Sequence, residues 1–68
     1  MAEIGFIVEE APEGGYTARA LEYSIYTEAD TWEELKSAIQ EAITCHFEDR
    51  ERPNLVRLHF LHQEVFAA

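Results

Sequence analysis

The stretch APEGGYTARAL, residues 11–21, predicts a sharp reversal of the chain and thereby decides the fold. Pro12 has a fixed φ, and Gly14 and Gly15 accept positive φ, so the backbone can turn within a few positions. Before the turn, EIGFIVEE (residues 3–10) has the alternation of a half-buried strand. After the turn, GYTARAL alternates in the same way. We therefore predict a β-hairpin formed by strands one and two.

The segment after the hairpin predicts a third strand and then a helix. YSIYT (residues 23–27) is rich in β-forming residues and follows a tight link around Glu22. From Asp30 the hydrophobic period changes, and Thr31 with Glu34 three residues later has the pattern of a reciprocal capping box. The steps of three and four that follow place one group of side chains on a continuous helical face. These are Trp32, Leu35, Ala38, Ile39, Ala42, Ile43, His46 and Phe47.

The C-terminal part of the sequence predicts the end of the helix and a fourth strand. The helix is expected to end in the polar run EDRERP (residues 48–53), because Pro53 disfavours helical geometry at Arg52 and cannot continue the hydrogen-bond ladder. The next segment, NLVRLHFLHQEVF (residues 54–66), returns to period two. Its alternation places two groups of side chains on opposite faces of the predicted strand. The first group is Val56, Leu58 and Phe60, and the second is Leu55, Arg57, His59 and Leu61.

Together these elements predict a single α+β domain over residues 1–68, in the order β-β-β-α-β. Three antiparallel strands, a helix crossover and a fourth strand parallel to strand one form a four-stranded mixed sheet with the helix packed on one face. The other face is too apolar to be only a solvated surface. We expect self-association or partner binding there, or by edge pairing. The side chains that are candidates for this interface are Ile7, Arg19, Leu21, Tyr26, Arg57 and Leu61.

The composition narrows the class of partner. The chain has 14 acidic and 5 basic residues and a net charge of −9, which repels a nucleic-acid backbone. A hydrophobic share of 47% excludes a disordered acidic tail. The acidity suits a basic protein partner, and the alternative is that it only keeps a small domain soluble. A single cysteine excludes an internal disulfide, and no signal-peptide or membrane-span pattern is present, which indicates a cytoplasmic protein without membrane association.

The sequence predicts no catalytic residue, no metal and no cofactor. The glycine turn lacks the spacing of a phosphate-binding loop. Cys45 and His46 are adjacent on the helix and diverge by about 100°, while His59 and His62 point to opposite faces if strand four continues. Cys45 has no Lys or Arg beside it, so we interpret it as a small packing residue. His46 is interpreted as a core or interface imidazole rather than a metal ligand, and the roles of all three histidines stay open.

Two motifs resemble those of the HicB-like antitoxin domain. EGGYTA (residues 13–18) is similar to the E-G-G-Y-x-A turn and strand of that family, and DTWEE (residues 30–34) is similar to its G-D-T-x-E-E-A helix start. The resemblance spans roughly residues 3–48. Ala29 stands where relatives often have Gly, and residues 21–24 replace a Pro and Gly often found there. The matching residues are Glu13, Gly14, Gly15, Tyr16 and Ala18 in the first motif, and Asp30, Thr31, Glu33 and Glu34 in the second.

The resemblance implies a β-β-β-α-β fold, homo-oligomers and tight binding to a small basic HicA ribonuclease. In complete antitoxins it also implies a C-terminal DNA-binding segment, which this sequence does not show after strand four, so we expect a short stand-alone member without direct DNA binding. The expected function is a non-enzymatic protein-binding module that neutralises a HicA-like toxin. The alternative is an orphan homo-oligomeric structural domain with no toxin partner. The number of subunits stays open.

Overall fold

The computed structural model describes residues 3–61 and 66–68, in which four strands form one sheet beside one α-helix. The strand order in the sheet is β3-β2-β1-β4. This architecture confirms the predicted α+β class and the order β-β-β-α-β. The elements are β1 (Glu3–Glu10), β2 (Tyr16–Ala20), β3 (Tyr26–Ala29), α1 (Trp32–His46), a 3₁₀ turn (Asp49–Glu51) and β4 (Leu55–Leu61).

The predicted hairpin joins β1 to β2 through the glycine turn. Gly14 and Gly15 have φ values of 103° and 85°, which side chains with a Cβ rarely adopt. The Gly14 amide donates to the Ala11 carbonyl at 3.0 Å, and the Ala11 amide donates to the Gly15 carbonyl at 3.0 Å. The turn is therefore closed by its own backbone, and it needs no ligand to hold its shape.

The pairings of the two outer strands, β3 and β4, also agree with the predicted topology. β2 and β3 pair antiparallel, and β4 pairs parallel with β1 on the other side. In the parallel pair Glu3 lies opposite Leu55 and Glu9 lies opposite Leu61, so the whole of β4 is in register with β1. The helix lies in the crossover that a parallel pair requires. β4 consequently forms one edge of the sheet and β3 the other.

The core lies between the sheet and one stripe of the helix. Every second side chain of β1 and β2 points toward this layer. The apolar side chains of α1 also face it, because they recur with the 3.6-residue period of a helix. Tyr16, Trp32 and Phe60 pack as a cluster of three rings at one end of it, with the centroids of Tyr16 and Trp32 5.3 Å apart. The buried residues are Ile4, Phe6, Val8, Ala18, Ala20, Ile25, Leu35, Ile39 and Ile43.

The helix begins as predicted, at an N-cap threonine. Thr31 is extended, and its hydroxyl accepts a hydrogen bond from the Glu34 amide at 3.1 Å. This bond satisfies one of the amides that have no partner within the first turn. Glu33 and Glu34 lie in that first turn, where negative charge favours the positive end of the helix dipole.

The helix ends earlier than predicted, at His46 rather than within residues 48–53. Phe47 is extended, with φ −112° and ψ 146°, and its amide still donates to the Ile43 carbonyl at 3.0 Å. Its ring is half-buried and lies 4.9 Å from the ring of Tyr23, centroid to centroid. Because this contact draws Phe47 toward the link between β2 and β3, the chain leaves the helix before the polar run begins.

The third strand begins three residues later than predicted, at Tyr26 rather than Tyr23. Residues 21–24 form the bend between β2 and β3, which is closed by a hydrogen bond from the Ala20 amide to the Ile25 carbonyl at 2.9 Å. The Tyr23 side chain packs on the end of the helix instead of entering the ladder. β-forming side chains therefore serve tertiary packing here, which overrides their strand propensity.

Candidate protein-interaction surface

None of the residues 3–61 and 66–68 covers the sheet face opposite the helix, and the strand register sets its side chains in rows. One row crosses all four strands, in which Arg19 lies between Tyr26 and Ile7, and Ile7 lies beside His59. Directly opposite residues share a face and bring their Cβ atoms within about 5.5 Å. We name this surface the open face. Its residues are Gly5, Ile7 and Glu9 of β1, Thr17 and Arg19 of β2, Tyr26 and Glu28 of β3, and Leu55, Arg57, His59 and Leu61 of β4, together with Leu21.

The structure brings the six predicted interface residues onto this face. Tyr26 is 62% exposed and Leu21 is 51% exposed, although both are large and apolar. Arg19 is exposed and Ile7 is half-buried between its neighbours. Arg57 and Leu61 extend the face along β4, and both are exposed. Their placement on one surface agrees with the sequence pattern, and their role in binding stays a prediction.

Leu21 lies over the part of the face where β1 has no side chain. A Cβ placed on Gly5 would lie 2.9 Å from Leu21 Cδ1 and 3.7 Å from His59 Nε2. Leu21 Cδ1 therefore occupies space that a Cβ on Gly5 would need, whereas His59 lies at ordinary van der Waals distance from that position. The Leu21 amide also donates to the Gly5 carbonyl at 2.9 Å, which fixes the start of the bend. An exposed leucine is thus held at a defined position on the open face.

One ion pair lies at the edge of the open face. The Arg57 guanidinium donates through Nε to Glu3 Oε2, and through Nη2 to Glu3 Oε1 at 3.2 Å, so the contact is bidentate. The hydrogen bond from Arg57 lowers the pKa of the Glu3 carboxyl, burial opposes it, and the charges of Arg57 and His59 lower it further. The same hydrogen bond and charge raise the pKa of Arg57. The positive charge of Arg57 is thereby balanced by the carboxylate of Glu3.

The lowered pKa of Glu3 predicts a pH dependence for Glu3→Gln. The folded-state pKa lies below the usual value of 4.5, so this pair stabilises the fold above that pH and loses its effect as pH falls through the folded value. The unfolding midpoint in urea should be slightly lower for Glu3→Gln than for the wild type at pH 7. The two should converge as the pH falls below 4.5 and then through the lowered pKa of folded Glu3, because a protonated Glu3 no longer binds Arg57 as an ion. A constant difference between pH 7 and pH 3 would contradict this assignment.

A second uncovered area lies on the helix side of β4, where sequence reasoning expected a covered layer. The helix packs closest to β3 and β2, and Val56 and Phe60 on the helix side of β4 remain exposed. A groove of about 140 Å³ separates α1 from β4 and is lined by Lys36, Ile39, Gln40, Val56 and Leu58. This uncovered area could have been predicted from element dimensions, because one helix about 10 Å wide covers roughly two strands spaced about 4.8 Å apart.

An acidic cleft lies beside the glycine turn, at the start of the helix. It has a volume of about 630 Å³ and is formed where the turn, the end of β3 and the first turns of α1 meet. Tyr16 forms part of its wall, and four carboxylates line it. Carboxylates at this density attract a basic partner from a distance. The acidic residues are Glu13, Glu28, Asp30 and Glu34.

The sequence interpretation of Cys45 and His46 was wrong in part. Cys45 is exposed at the end of the helix rather than packed. His46 is exposed as well, with its ring 5.8 Å from Tyr23 and 4.8 Å from Phe47, so it is not a core imidazole. The helix ends at His46, and its buried residues are Leu35, Ile39 and Ile43. His59 lies on the open face, and His62 lies outside the described residues.

Within residues 3–61 and 66–68, no three His, Cys, Asp or Glu side chains are grouped so as to hold a metal ion. Over the same residues, the longest helix is too short and too polar to cross a membrane.

The chain is similar to two proteins of comparable length. A UPF0150 protein of Archaeoglobus fulgidus is 56% identical over 50 residues, which cover 74% of this chain and 74% of the relative. A UPF0150 protein of Thermotoga maritima is 43% identical over 65 residues, which cover 96% of this chain and 91% of the relative. No protein-family model matches the chain, and no solved structure matches it significantly. The names of both relatives state no activity and no partner.

Proposed function

Because the chain belongs to the UPF0150 family and carries motifs that resemble the HicB-like domain, we propose that it is a cytoplasmic, non-enzymatic binding module of the HicB antitoxin type. Its partner is a small basic ribonuclease of the HicA type, which it neutralises by occupying a surface of the toxin. No catalytic group, metal or cofactor takes part, and no direct DNA binding is expected from a chain of net charge −9.

The observation that carries this proposal is the open face. Within the part of the chain that the structure describes, one side of the sheet is uncovered, and Leu21 and Tyr26 are more than half exposed there, so this side has apolar area to bury against another protein. Arg19 lies between Tyr26 and Ile7 in the same row, and arginine and tyrosine are the residue types that dominate binding energy at interfaces. This row is the centre of the proposed contact.

The charge distribution supplies the second part of the mechanism. A net charge of −9 and the acidic cleft attract a basic ribonuclease and raise its rate of association, while burial of the open face slows dissociation. The rate of association should therefore fall as salt is added, and the rate of dissociation should respond mainly to substitutions on the open face.

The proposal predicts a small basic HicA-type reading frame beside this gene, and it is tested by titration calorimetry and RNA cleavage with the product of that reading frame. The wild-type protein should bind it and stop RNA cleavage at equimolar concentration. Tyr26→Ala and Arg19→Ala should each weaken binding by roughly tenfold or more, because both remove exposed side chains from the centre of the contact. Circular dichroism should show that both variants remain folded.

Arg50→Ala is the matched control for Arg19→Ala, because Arg50 is exposed on the 3₁₀ turn and lies away from the open face. It should bind the ribonuclease as the wild type does. If Arg50→Ala weakens binding as strongly as Arg19→Ala, the effect is not specific to the open face, because loss of a positive charge by itself should favour a basic partner. If the purified ribonuclease neither binds nor is inhibited, the antitoxin proposal fails, and the orphan structural domain becomes the better account.

A further inference from the structure

Arg19 is an exposed basic side chain at the centre of the open face, and it has no counter-charge within the part of the chain that the structure describes. The sequence has five Lys and Arg residues and 14 acidic residues. Lys36, Arg52 and Arg57 each form an ion pair with a carboxylate. In so acidic a chain, an arginine that pairs with none of the described carboxylates keeps its side-chain donors available for another molecule.

The neighbours of Arg19 on the open face are mainly aromatic and apolar. Tyr26 and Ile7 lie on either side of it in the same row, and Leu21 lies two residues further along the chain. A partner that buries these side chains also removes water from the Arg19 guanidinium. Burying a charge without a counter-charge is costly, whereas a hydrogen-bonded carboxylate compensates for the lost water. The planar guanidinium matches a carboxylate through two parallel hydrogen bonds.

The two carboxylates diagonal to Arg19, those of Glu9 and Glu28, do not pair with it in the structure. They lie on either side of Thr17, in the row next to that of Arg19. Both are exposed and Thr17 is half-buried, so a basic side chain of a partner placed over Thr17 lies about 5 Å from each strand that carries them. The open face therefore has a basic row and an acidic row, two residues or about 7 Å apart.

We propose that the ribonuclease surface which covers the open face presents a carboxylate to Arg19 and, about 7 Å away, a basic side chain to Glu9 and Glu28. A partner that is basic overall thus carries an acidic residue at the centre of its contact. The overall charges draw the two proteins together, and this local pattern fixes their orientation and disfavours a uniformly basic surface. The contact rests on the proposed function, because only a partner that covers the open face removes water from Arg19.

Charge reversal at Arg19 changes binding in a direction that separates this contact from general attraction. Arg19→Glu makes a chain of net charge −9 more acidic, so general attraction alone would strengthen binding of a basic ribonuclease. A carboxylate opposite Arg19 predicts the reverse. Titration calorimetry should show binding weakened by roughly a hundredfold, since two carboxylates then face each other. Arg19→Met should weaken binding by roughly tenfold, because it keeps an apolar stem and leaves the partner's carboxylate unpaired.

Arg50→Glu is the matched control for Arg19→Glu. Arg50 is also exposed and without an ion pair to any described residue, but it lies on the 3₁₀ turn between Asp49 and Glu51. The same reversal there should leave binding at least as tight as in the wild type. Circular dichroism should show that all variants are folded. Arg19→Met decides the test if the extra carboxylate on the open face unfolds Arg19→Glu, since it adds no charge.

Charge exchange identifies the residue of the partner. Each Asp and Glu of the ribonuclease is replaced in turn with Arg. One of these variants should bind the wild-type protein weakly and should recover binding to Arg19→Glu to within about tenfold of the original complex, because the ion pair is restored with its charges exchanged. If none of them recovers binding, the acceptor for Arg19 is not a carboxylate side chain, and the proposal is overturned.

Failure of this contact differs in its result from failure of the proposed function. If the wild type binds the ribonuclease and Arg19→Glu binds as tightly or more tightly, the antitoxin role stands and the contact is overturned. Equal losses for Arg19→Glu and Arg50→Glu also overturn it, since the effect then does not belong to the open face. If the wild type does not bind the ribonuclease, the proposed function fails and the contact with Arg19 fails with it.

Discussion

Replacing Phe6 with Ala is expected to unfold this protein at room temperature. Phe6 is fully buried in the middle of β1, between Ala20 of β2 and Leu58 of β4 in the sheet, and belongs to the core with Leu35 and Ile39. Truncating a buried Phe to Ala typically costs about 3–5 kcal/mol. The core of a domain this small rarely supplies more than about 3–5 kcal/mol of net stability. One substitution therefore removes most or all of it.

Circular dichroism and urea unfolding measure this effect directly. The Phe6→Ala variant should lack a cooperative unfolding transition, or show one displaced to very low urea. Phe66→Ala is the matched control, because Phe66 is 80% exposed and the same atoms are removed. Its free energy of unfolding should stay within about 0.5 kcal/mol of that of the wild type. A cooperative Phe6→Ala variant with near wild-type stability would show that the layer between helix and sheet is not the main source of stability.

The second large effect is expected for Gly15→Ala. Gly15 has a φ of 85°, and a Cβ at this position would lie 2.7 Å from the Ala29 carbonyl oxygen and 3.3 Å from Asp30 Cα. Both contacts are with backbone, so a rotamer change cannot relieve them. Strain at positive φ costs about 1–2 kcal/mol, and forcing an atom into an occupied space adds roughly 1–3 kcal/mol. We expect a loss of about 2–5 kcal/mol, read from the urea midpoint.

Gly14→Ala separates the two causes. Gly14 has a φ of 103°, but a Cβ there would meet nothing within 4 Å. This variant should therefore lose only the conformational part, about 1–2 kcal/mol. Equal losses for Gly14→Ala and Gly15→Ala would contradict the close approach of the turn to the end of β3. The comparison also bears on function, because the acidic cleft is built where this turn meets Ala29 and Asp30.

Local patterns were sufficient to predict the topology and most of the core. The alternation of residues 3–10 sets Ile4, Phe6 and Val8 on one side of β1, and the structure buries all three, while the Thr31 cap marks the start of the helix. These signals are local, because strand period, glycine turns and helix caps act over a few residues. The positions on the open face followed from the same alternation, once β4 was paired with β1.

The structure departs from the predictions where residues distant in the sequence pack against each other. Tyr23 and Phe47 lie 24 positions apart in the sequence and pack together, which delays β3 and ends the helix early. The propensities of the two local segments could not predict this contact, because it depends on tertiary packing. The exposure of Val56 and Phe60 was missed for a different reason, since helical periodicity gives the direction of the apolar stripe but not the width of sheet that one helix covers.

The parallel pairing of β1 with β4 also sets the order in which the molecule can form. Their contacting residues are about fifty positions apart, whereas the hairpin, the β2 to β3 bend and the helix involve near neighbours. Near neighbours meet first, because closing a long loop costs more chain entropy. An early species therefore has three strands and a bare β1 edge, onto which the last strand of another molecule fits as well as its own. Concentrated refolding favours such exchanged strands, and dilution favours the correct intramolecular closure.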